Sequence, residues 1–187
     1  MEKLTDEVYE SLQEILFTEE QIQVKVKELG KIISRDYQNK NPIFVGILKG
    51  VFFFMADLLR AVTINCEVDF MAVSTYNNQE QFKGVVRIVK DLDIPIQGRH
   101  VIFVEDVIDT GLTINYLLRN LRDRNPKSLE VCTIFNKPAH RLIEIPVKYN
   151  GFDLPDRFVI GYGLDHNEKY RNIPFIGLLK AEKIHSP

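Results

Sequence analysis

Two short runs constrain this chain more than any other part of it: Ile43–Leu48, "IFVGIL", and Val101–Val104, "VIFV". Both are apolar without alternation, so neither can turn one face to water as a strand. Such strands must be covered on both sides, as they are in a parallel sheet with helices on each face. Each run is followed by a glycine-containing turn and then by a stretch with helical periodicity. Lys49-Gly50 leads into the apolar segment around Phe52 to Val62. Gly111 leads into "TINYLLRNLRD", where Ile114, Leu117, Leu118 and Leu121 share one side. Upstream, Thr18 and Gln21 have the spacing of a capping box, with Phe17 and Ile22 placed as its staple. Ile22, Val26, Leu29 and Ile33 then mark a buried helical face, and Asn41-Pro42 closes that unit.

"VDFMAVS", "VVRIV" and "SLEVCTIFNK" read as further strands, and "RFVIGYGLD" (Arg157 to Asp165) as the last. "VVRIV" alternates and belongs at or near an edge, and the polar "TYNNQEQFKG" before it reads as a loop. The expected fold is α/β: a mostly parallel twisted sheet flanked by helices, in a single domain of 187 residues. Its core spans roughly residues 35–160, and the chain ends, roughly 1–15 and 160–187, pair off as a small subdomain.

Charge and cysteine usage narrow the function. With 24 basic against 26 acidic side chains, the formal charge of -2 gives no cationic face for nucleic acid. Cys66 and Cys132 lie far apart, outside any CxxC or His/Cys cluster, and read as reduced core residues of a cytoplasmic protein. "MEKLTDEVYE" has no apolar core of a signal peptide, and "VFFFMADLLRAV" is too short and too interrupted to span a membrane. The four histidines, His100, His140, His166 and His185, are scattered and read as non-catalytic.

The informative chemistry follows the second apolar run, in "VIFVEDVIDTGLT". Glu105, Asp106 and Asp109 repel one another, so they need a cation or a set of donors to hold them. Asp109-Thr110-Gly111-Leu112-Thr113 is a tight turn into a helix N-terminus. Its backbone N–H groups and threonine hydroxyls can cradle a phosphate. A phosphorylated ribose, with one anionic end and two vicinal hydroxyls, fits both halves. There is no GxxxxGK[ST], and Gly161-Tyr162-Gly163 lacks the rest of a dinucleotide fingerprint.

This stretch resembles the phosphoribosyl-pyrophosphate signature of the type I phosphoribosyltransferases, and "EDVIDTG" is most similar to the hypoxanthine-guanine branch. "GILKG" resembles that family's pyrophosphate loop, where the peptide before the lysine is commonly cis. "STYNNQ" resembles its lid, with Thr75 and Tyr76 at the working positions. "FNKP" and "DRFVIGYGLDHNEKYR" resemble its purine-binding segments. Three positions depart from the pattern: Val51, Thr75, and Leu112, where some members have a lysine. The small subdomain corresponds to the family's hood.

The resemblance implies transfer of a phosphoribosyl group from 5-phosphoribosyl 1-pyrophosphate to hypoxanthine or guanine, with Mg2+ as cofactor. It implies donor binding by Lys49, Gly50, Glu105, Asp106, Asp109, Thr110, Gly111, Leu112, Thr113 and Arg171. Glu105, Asp106 and Asp165 would hold the metal through water. Lys137, Phe158, Val159 and Asp165 would bind the purine, with Asp109 the catalytic acid/base and Thr75 and Tyr76 in the lid. A homodimer or homotetramer is expected, with no nucleic-acid or membrane partner. Two other readings stay open: a regulatory protein that keeps the pocket without the chemistry, and a xanthine-preferring transferase.

Overall fold

The computed structural model describes residues 6–75 and 86–184. Helix α1 (Asp6–Glu10) and strand β1 (Leu12–Phe17) lead to helix α2 (Glu19–Asp36). The α2 start follows from its sequence: Thr18 Oγ1 accepts the Gln21 N–H, and Gln21 Oε1 accepts the Thr18 N–H at 2.8 Å. Ile22, Val26, Leu29 and Ile33 are all buried. Strand β2 (Ile43–Leu48), helix α3 (Phe52–Ala61), strands β3 (Glu67–Thr75), β4 (Val86–Lys90) and β5 (His100–Ile108), helix α4 (Leu112–Arg122) and strand β6 (Ser128–Asn136) follow. A 3-10 turn at Pro138–His140, strands β7 (Val147–Asp153), β8 (Val159–Ile160) and β9 (Ile176–Leu179), and helix α5 (Ala181–Ile184) complete the described chain.

Six strands form one sheet in the order β4-β3-β2-β5-β6-β7. All neighbours are parallel except the edge strand β4, which runs antiparallel to β3. The two runs that lacked alternation are its centre, β2 beside β5, and both faces of each are covered. Phe44, Ile102 and Val104 pack with α2 and α3 on one face. Ile43, Val45, Val101 and Phe103 pack with Leu117 and Leu121 of α4 on the other. Neighbours β3 and β5 leave β2 in opposite directions, so the carboxyl ends of β2 and β5 flank a topological switch point, where open α/β sheets bind ligands.

A second, three-stranded antiparallel sheet has the order β1-β9-β8. Sequence reading missed β1, β7 and β9. "VKYNGFD" carries Asn and Gly inside the strand, and "LQEILF" mixes polar and apolar positions without clean alternation. The expectation of one strand across Arg157–Asp165 is also corrected: only Val159–Ile160 is extended pairing. Gly161, Tyr162 and Gly163 all have positive φ, at 103°, 46° and 100°, and fold the chain into a tight turn. Tyr162 O–H donates to Asp57 Oδ2 at 2.8 Å, which ties this turn to α3. None of the described helices is long and apolar enough to cross a membrane.

Candidate active site

At the end of β2 the Leu48–Lys49 peptide is cis. The next residue, Gly50, is packed from two sides. A Cβ on it would lie 1.6 Å from Asp106 Oδ2, and a Cβ on Gly163 would lie 2.0 Å from the Gly50 carbonyl oxygen. Gly163 therefore lets the turn after β8 meet the turn after β2 backbone to backbone, and Gly50 leaves room for the Asp106 carboxylate at the end of β5.

Adjacent strand residues point to opposite faces, so Glu105 and Asp106 would converge on one ligand only if the strand were breaking there, and it does not break. β5 continues to Ile108, pairing with β6 through Glu105, Val107 and Ile108 after its pairing with β2 has stopped at Val104. Its alternation is nonetheless reversed across the pair. Val101 and Phe103 face α4 while Val104 faces α3, yet Val107 packs on the α3 side and Ile108 on the α4 side. The reversal occurs within a continuous strand, past the point where pairing with β2 stops and without a register shift against β6.

Burial governs the charge of this pair. It pushes the Glu105 carboxyl well above the usual carboxylate range, and the Asp106 charge beside it adds to the effect. Burial also raises Asp106, to about 6, against the Val107 N–H that its Oδ1 accepts at 2.7 Å and the nearby Arg171 cation. Glu105 Oε2 and Arg171 Nε are buried without a hydrogen-bond partner. A stranded carboxylate oxygen and a stranded guanidinium N–H are the complement of a hydrated cation and an anionic oxygen respectively. Among the described residues, no three His, Cys, Asp or Glu side chains are grouped closely enough to hold a metal by themselves.

Asp109 opens the turn into α4. Gly111 is the N-cap at φ 83°, so the cap has no side chain to cover the helix amides; Thr110 Oγ1 accepts only the Leu112 N–H, at 3.4 Å. A Cβ on Gly111 would lie 2.7 Å from the Ile143 carbonyl oxygen, which requires glycine here on space as well as on φ. The first-turn amides of α4, including those of Leu112 and Thr113, thus belong to a loop suited to an anion.

A cavity of about 300 Å3 brings together Asp106 and Asp109 from the β5 end, Lys137 from the β6 end, and Phe158, Val159, Leu164, Asp165 and Arg171 from the region around β8. Every residue expected to bind the purine lines it. Lys137 Nζ donates to the Arg157 carbonyl at 2.9 Å and keeps two further protons for a ligand. Phe158 is partly exposed, with its ring edge-on to His166 at 5.4 Å. Arg171 donates to the Gly163 carbonyl at 2.8 Å and pairs with Asp165 at 2.8 Å. Glu105, Lys49, Gly50 and Thr110 to Thr113 lie outside the lining. Thr75 ends β3, and Tyr76 falls outside the described residues. A larger depression, of about 540 Å3 along residues 92–97 and 123–125, holds none of these groups.

Three neighbours were not legible in the sequence. Glu168 Oε2 sits 3.1 Å from Lys49 Nζ and 3.2 Å from an Arg171 amino group, between the two cations expected to meet pyrophosphate. Arg141 Nε donates to the Asp109 carbonyl at 3.0 Å. His140 Nδ1 contacts Asp109 Oδ1. The last two contacts bridge more than thirty residues of chain, so no local motif announces them.

A doubly covered parallel sheet with its acids and phosphate-loop turn at the switch point defines an α/β class that handles phosphorylated sugars or nucleotides. Within that class, residues 13–167 match the phosphoribosyl transferase domain, and the chain belongs to that family. It is 46% identical over 169 residues to the hypoxanthine-guanine phosphoribosyltransferase of Bacillus subtilis, covering 90% of this chain and 94% of that one. It is 44% identical over 177 residues to the bifunctional protein TilS/HprT of Listeria monocytogenes, covering 95% of this chain but 27% of that protein. A solved structure of a hypoxanthine phosphoribosyltransferase from Staphylococcus aureus superposes with a TM-score of 0.92 at 42% identity, covering 99% of this chain and all of that one.

Proposed function

We propose that this phosphoribosyltransferase salvages purines, transferring phosphoribosyl from 5-phosphoribosyl 1-pyrophosphate to hypoxanthine, guanine or both. The observation that carries the reading is the single cavity in which Asp109, Lys137, Phe158, Val159 and Arg171 converge beside the glycine turn into α4. The relatives named above support the same substrates.

In the reaction a purine ring nitrogen attacks C1 of the ribose, and the bond from C1 to the pyrophosphate oxygen breaks with its electron pair leaving on pyrophosphate. Asp109 takes the proton from the imidazole side of the purine, which makes the ring nucleophilic. Lys137 donates to the exocyclic oxygen of a 6-oxopurine. Adenine would set an amino group against that ammonium, and a donor facing a donor discriminates strongly. Phe158 stacks on the base, and the Val159 carbonyl accepts its pyrimidine-side N–H. The 110–113 turn binds the 5′-phosphate, with Leu112 contributing its amide. Lys49, the Gly50 amide and Arg171 take up charge on the leaving pyrophosphate. Glu105 and Asp106 hold the ribose hydroxyls.

The unpartnered Glu105 oxygen and the buried acid beside it suit a hydrated divalent cation. With Asp165, these two acids would hold the waters of Mg2+, which when bound neutralises the diphosphate. Thr75 and Tyr76 belong to a lid that excludes water in this reading. Assembly as a homodimer or homotetramer is supported by Phe52, a large apolar side chain left exposed on α3. Cytoplasmic residence is supported by two cysteines, both free.

The test is nucleotide formation from phosphoribosyl pyrophosphate with hypoxanthine, guanine, xanthine and adenine offered separately, with and without Mg2+. Rapid product with hypoxanthine or guanine, little with adenine and none without metal is expected. Faster product from xanthine would reassign the preferred base. Donor binding without turnover on any base would make the chain a regulatory protein.

A further inference from the structure

His140 does not line the purine cavity. It closes the 3-10 turn behind Lys137, and its Nδ1 meets Asp109 Oδ1. Asp156 Oδ1, from the connection ahead of β8, lies 3.7 Å from the same nitrogen. Two carboxylates facing one ring nitrogen decide its protonation. An unprotonated Nδ1 would set a lone pair against two anions, so this nitrogen carries the proton and donates.

The backbone of the Asp109 turn is already fixed from the same direction. Lys137 N–H donates to the Ile108 carbonyl at 2.9 Å, and the Leu142 and Ile143 amides both donate to the Thr110 carbonyl, at 2.9 and 3.2 Å. Arg141 Nε donates to the Asp109 carbonyl itself. All of these hold main chain. The Asp109 side chain retains two torsions, and the His140 contact is what restrains them.

We propose that His140 is a positioning residue for Asp109: its Nδ1–H anchors Oδ1 and leaves Oδ2 turned to the imidazole edge of the purine. The proposal rests on Asp109 acting as the base. Proton transfer needs one carboxylate oxygen, so the other is free to be held. A base held in its working rotamer needs no reorganisation when the purine arrives. Both partners are about half exposed, at 47% and 45%, so the anchor is worth a moderate factor and not the whole of catalysis.

The experiment compares His140→Ala, His140→Asn and Asp109→Asn with the parent enzyme, using phosphoribosyl pyrophosphate and hypoxanthine at about pH 8, where a free histidine is neutral. His140→Ala is expected to lower kcat about tenfold while both KM values stay within about twofold. Asparagine can present its amide N–H to the same carboxylate, so His140→Asn should recover most of the loss. In 15N-labelled protein the His140 ring should show the Nδ1–H tautomer, and Asp109→Asn should shift that signal.

An unchanged kcat in His140→Ala, a loss that asparagine does not recover, or a ring protonated on Nε2 alone would each overturn the proposal. If Asp109→Asn turns over like the parent, the base assignment fails first. If Asp109→Asn is inactive but His140→Ala is not, only the role of His140 falls.

Discussion

Replacing Asp106 by asparagine should make the free protein more stable while removing its ability to use phosphoribosyl pyrophosphate. The carboxyl is raised to about 6 by burial, from an ordinary value of 3.8. A group whose folded value is raised contributes its stability below its unfolded value, and loses it as pH rises through the folded one. Above about pH 7 the folded protein therefore carries the full cost of ionising Asp106. At about 1.4 kcal/mol per pH unit that cost is at most about 3 kcal/mol, and about 1–2 after allowing for residual exposure. Asparagine is the same size, so it fits opposite Gly50, and its carbonyl can still accept the Val107 N–H. The assay is a pair of urea or thermal melts at about pH 8 and about pH 5. For a chain of this length, about 1–2 kcal/mol corresponds to a gain of roughly 3–6 °C in Tm at the higher pH, and a smaller gain at the lower. A variant that melts below the parent at pH 8, or by the same margin at both pH values, would refute the reasoning. Retained turnover would separately remove Asp106 from the sugar-binding set.

Four other perturbations probe different links. Asp109→Asn should lower kcat far more than it weakens phosphoribosyl pyrophosphate binding, measured by calorimetry beside steady-state rates; equal losses would make it a binding residue. Lys137→Ala should erode the preference for hypoxanthine over adenine in competition assays, and an unchanged ratio would remove Lys137 from the purine contacts. Glu168→Gln should free Lys49 and Arg171 and lower the donor KM a few-fold at low salt; a raised KM would mean that Glu168 organises the two cations instead of competing with the leaving group. Asp69→Ala should cost about 3 kcal/mol in urea melts, because the carboxylate accepts the Phe70, Asp93 and Ile94 N–H groups in a buried position. Burial pushes the Asp69 carboxyl up, but the bonds from Ile94, Phe70 and Asp93, with Lys90 nearby, outweigh it and hold it below the usual range. Its contribution is thus present at neutral pH and fades as pH falls below about 4, and a parent–variant gap independent of pH in that window would contradict this.

What the sequence disclosed of the fold depended on whether a segment's burial was visible in its own residues. β2 and β5 are covered on both faces, so their apolar runs admit no other reading. α2 carries its own capping box. β4 shows the burial alternation of an edge strand. β7 escaped because Gly151 is there for a neighbour: a Cβ would lie 2.3 Å from the Ile134 carbonyl oxygen of β6. The segment after Phe158 reads as one long strand because its side chains are apolar, whereas its backbone turns through three positive φ values to bring Gly163 onto Gly50. In both cases the decisive constraint is a backbone approach from elsewhere in the chain, which residue hydrophobicity does not encode.

The same division runs through the site. Glu105, Asp106, Asp109 and the 110–113 turn are contiguous, so the sequence presents them as one stretch whose repelling acids need a cation or a set of donors. The groups that aim this machinery are not contiguous with it. His140, Arg141 and Ile143 reach the Asp109–Gly111 turn from the β6–β7 connection, and Glu168 reaches Lys49 across the cleft. Sheet topology explains why. β5 and β6 are parallel neighbours, so their carboxyl ends open side by side and the connection after β6 must pass over the turn after β5. A residue in that connection can therefore act on the base without belonging to any motif. In this sheet the turn after β5 carries the proposed base, and the turn after β6 carries the groups that reach it, His140 and Arg141, beside the purine contact Lys137. Substitutions at His140 and Arg141 should accordingly change kcat more than substrate affinity, as at Asp109 itself, whereas substitutions at Glu105, Asp106 and Thr110 to Thr113 should change both.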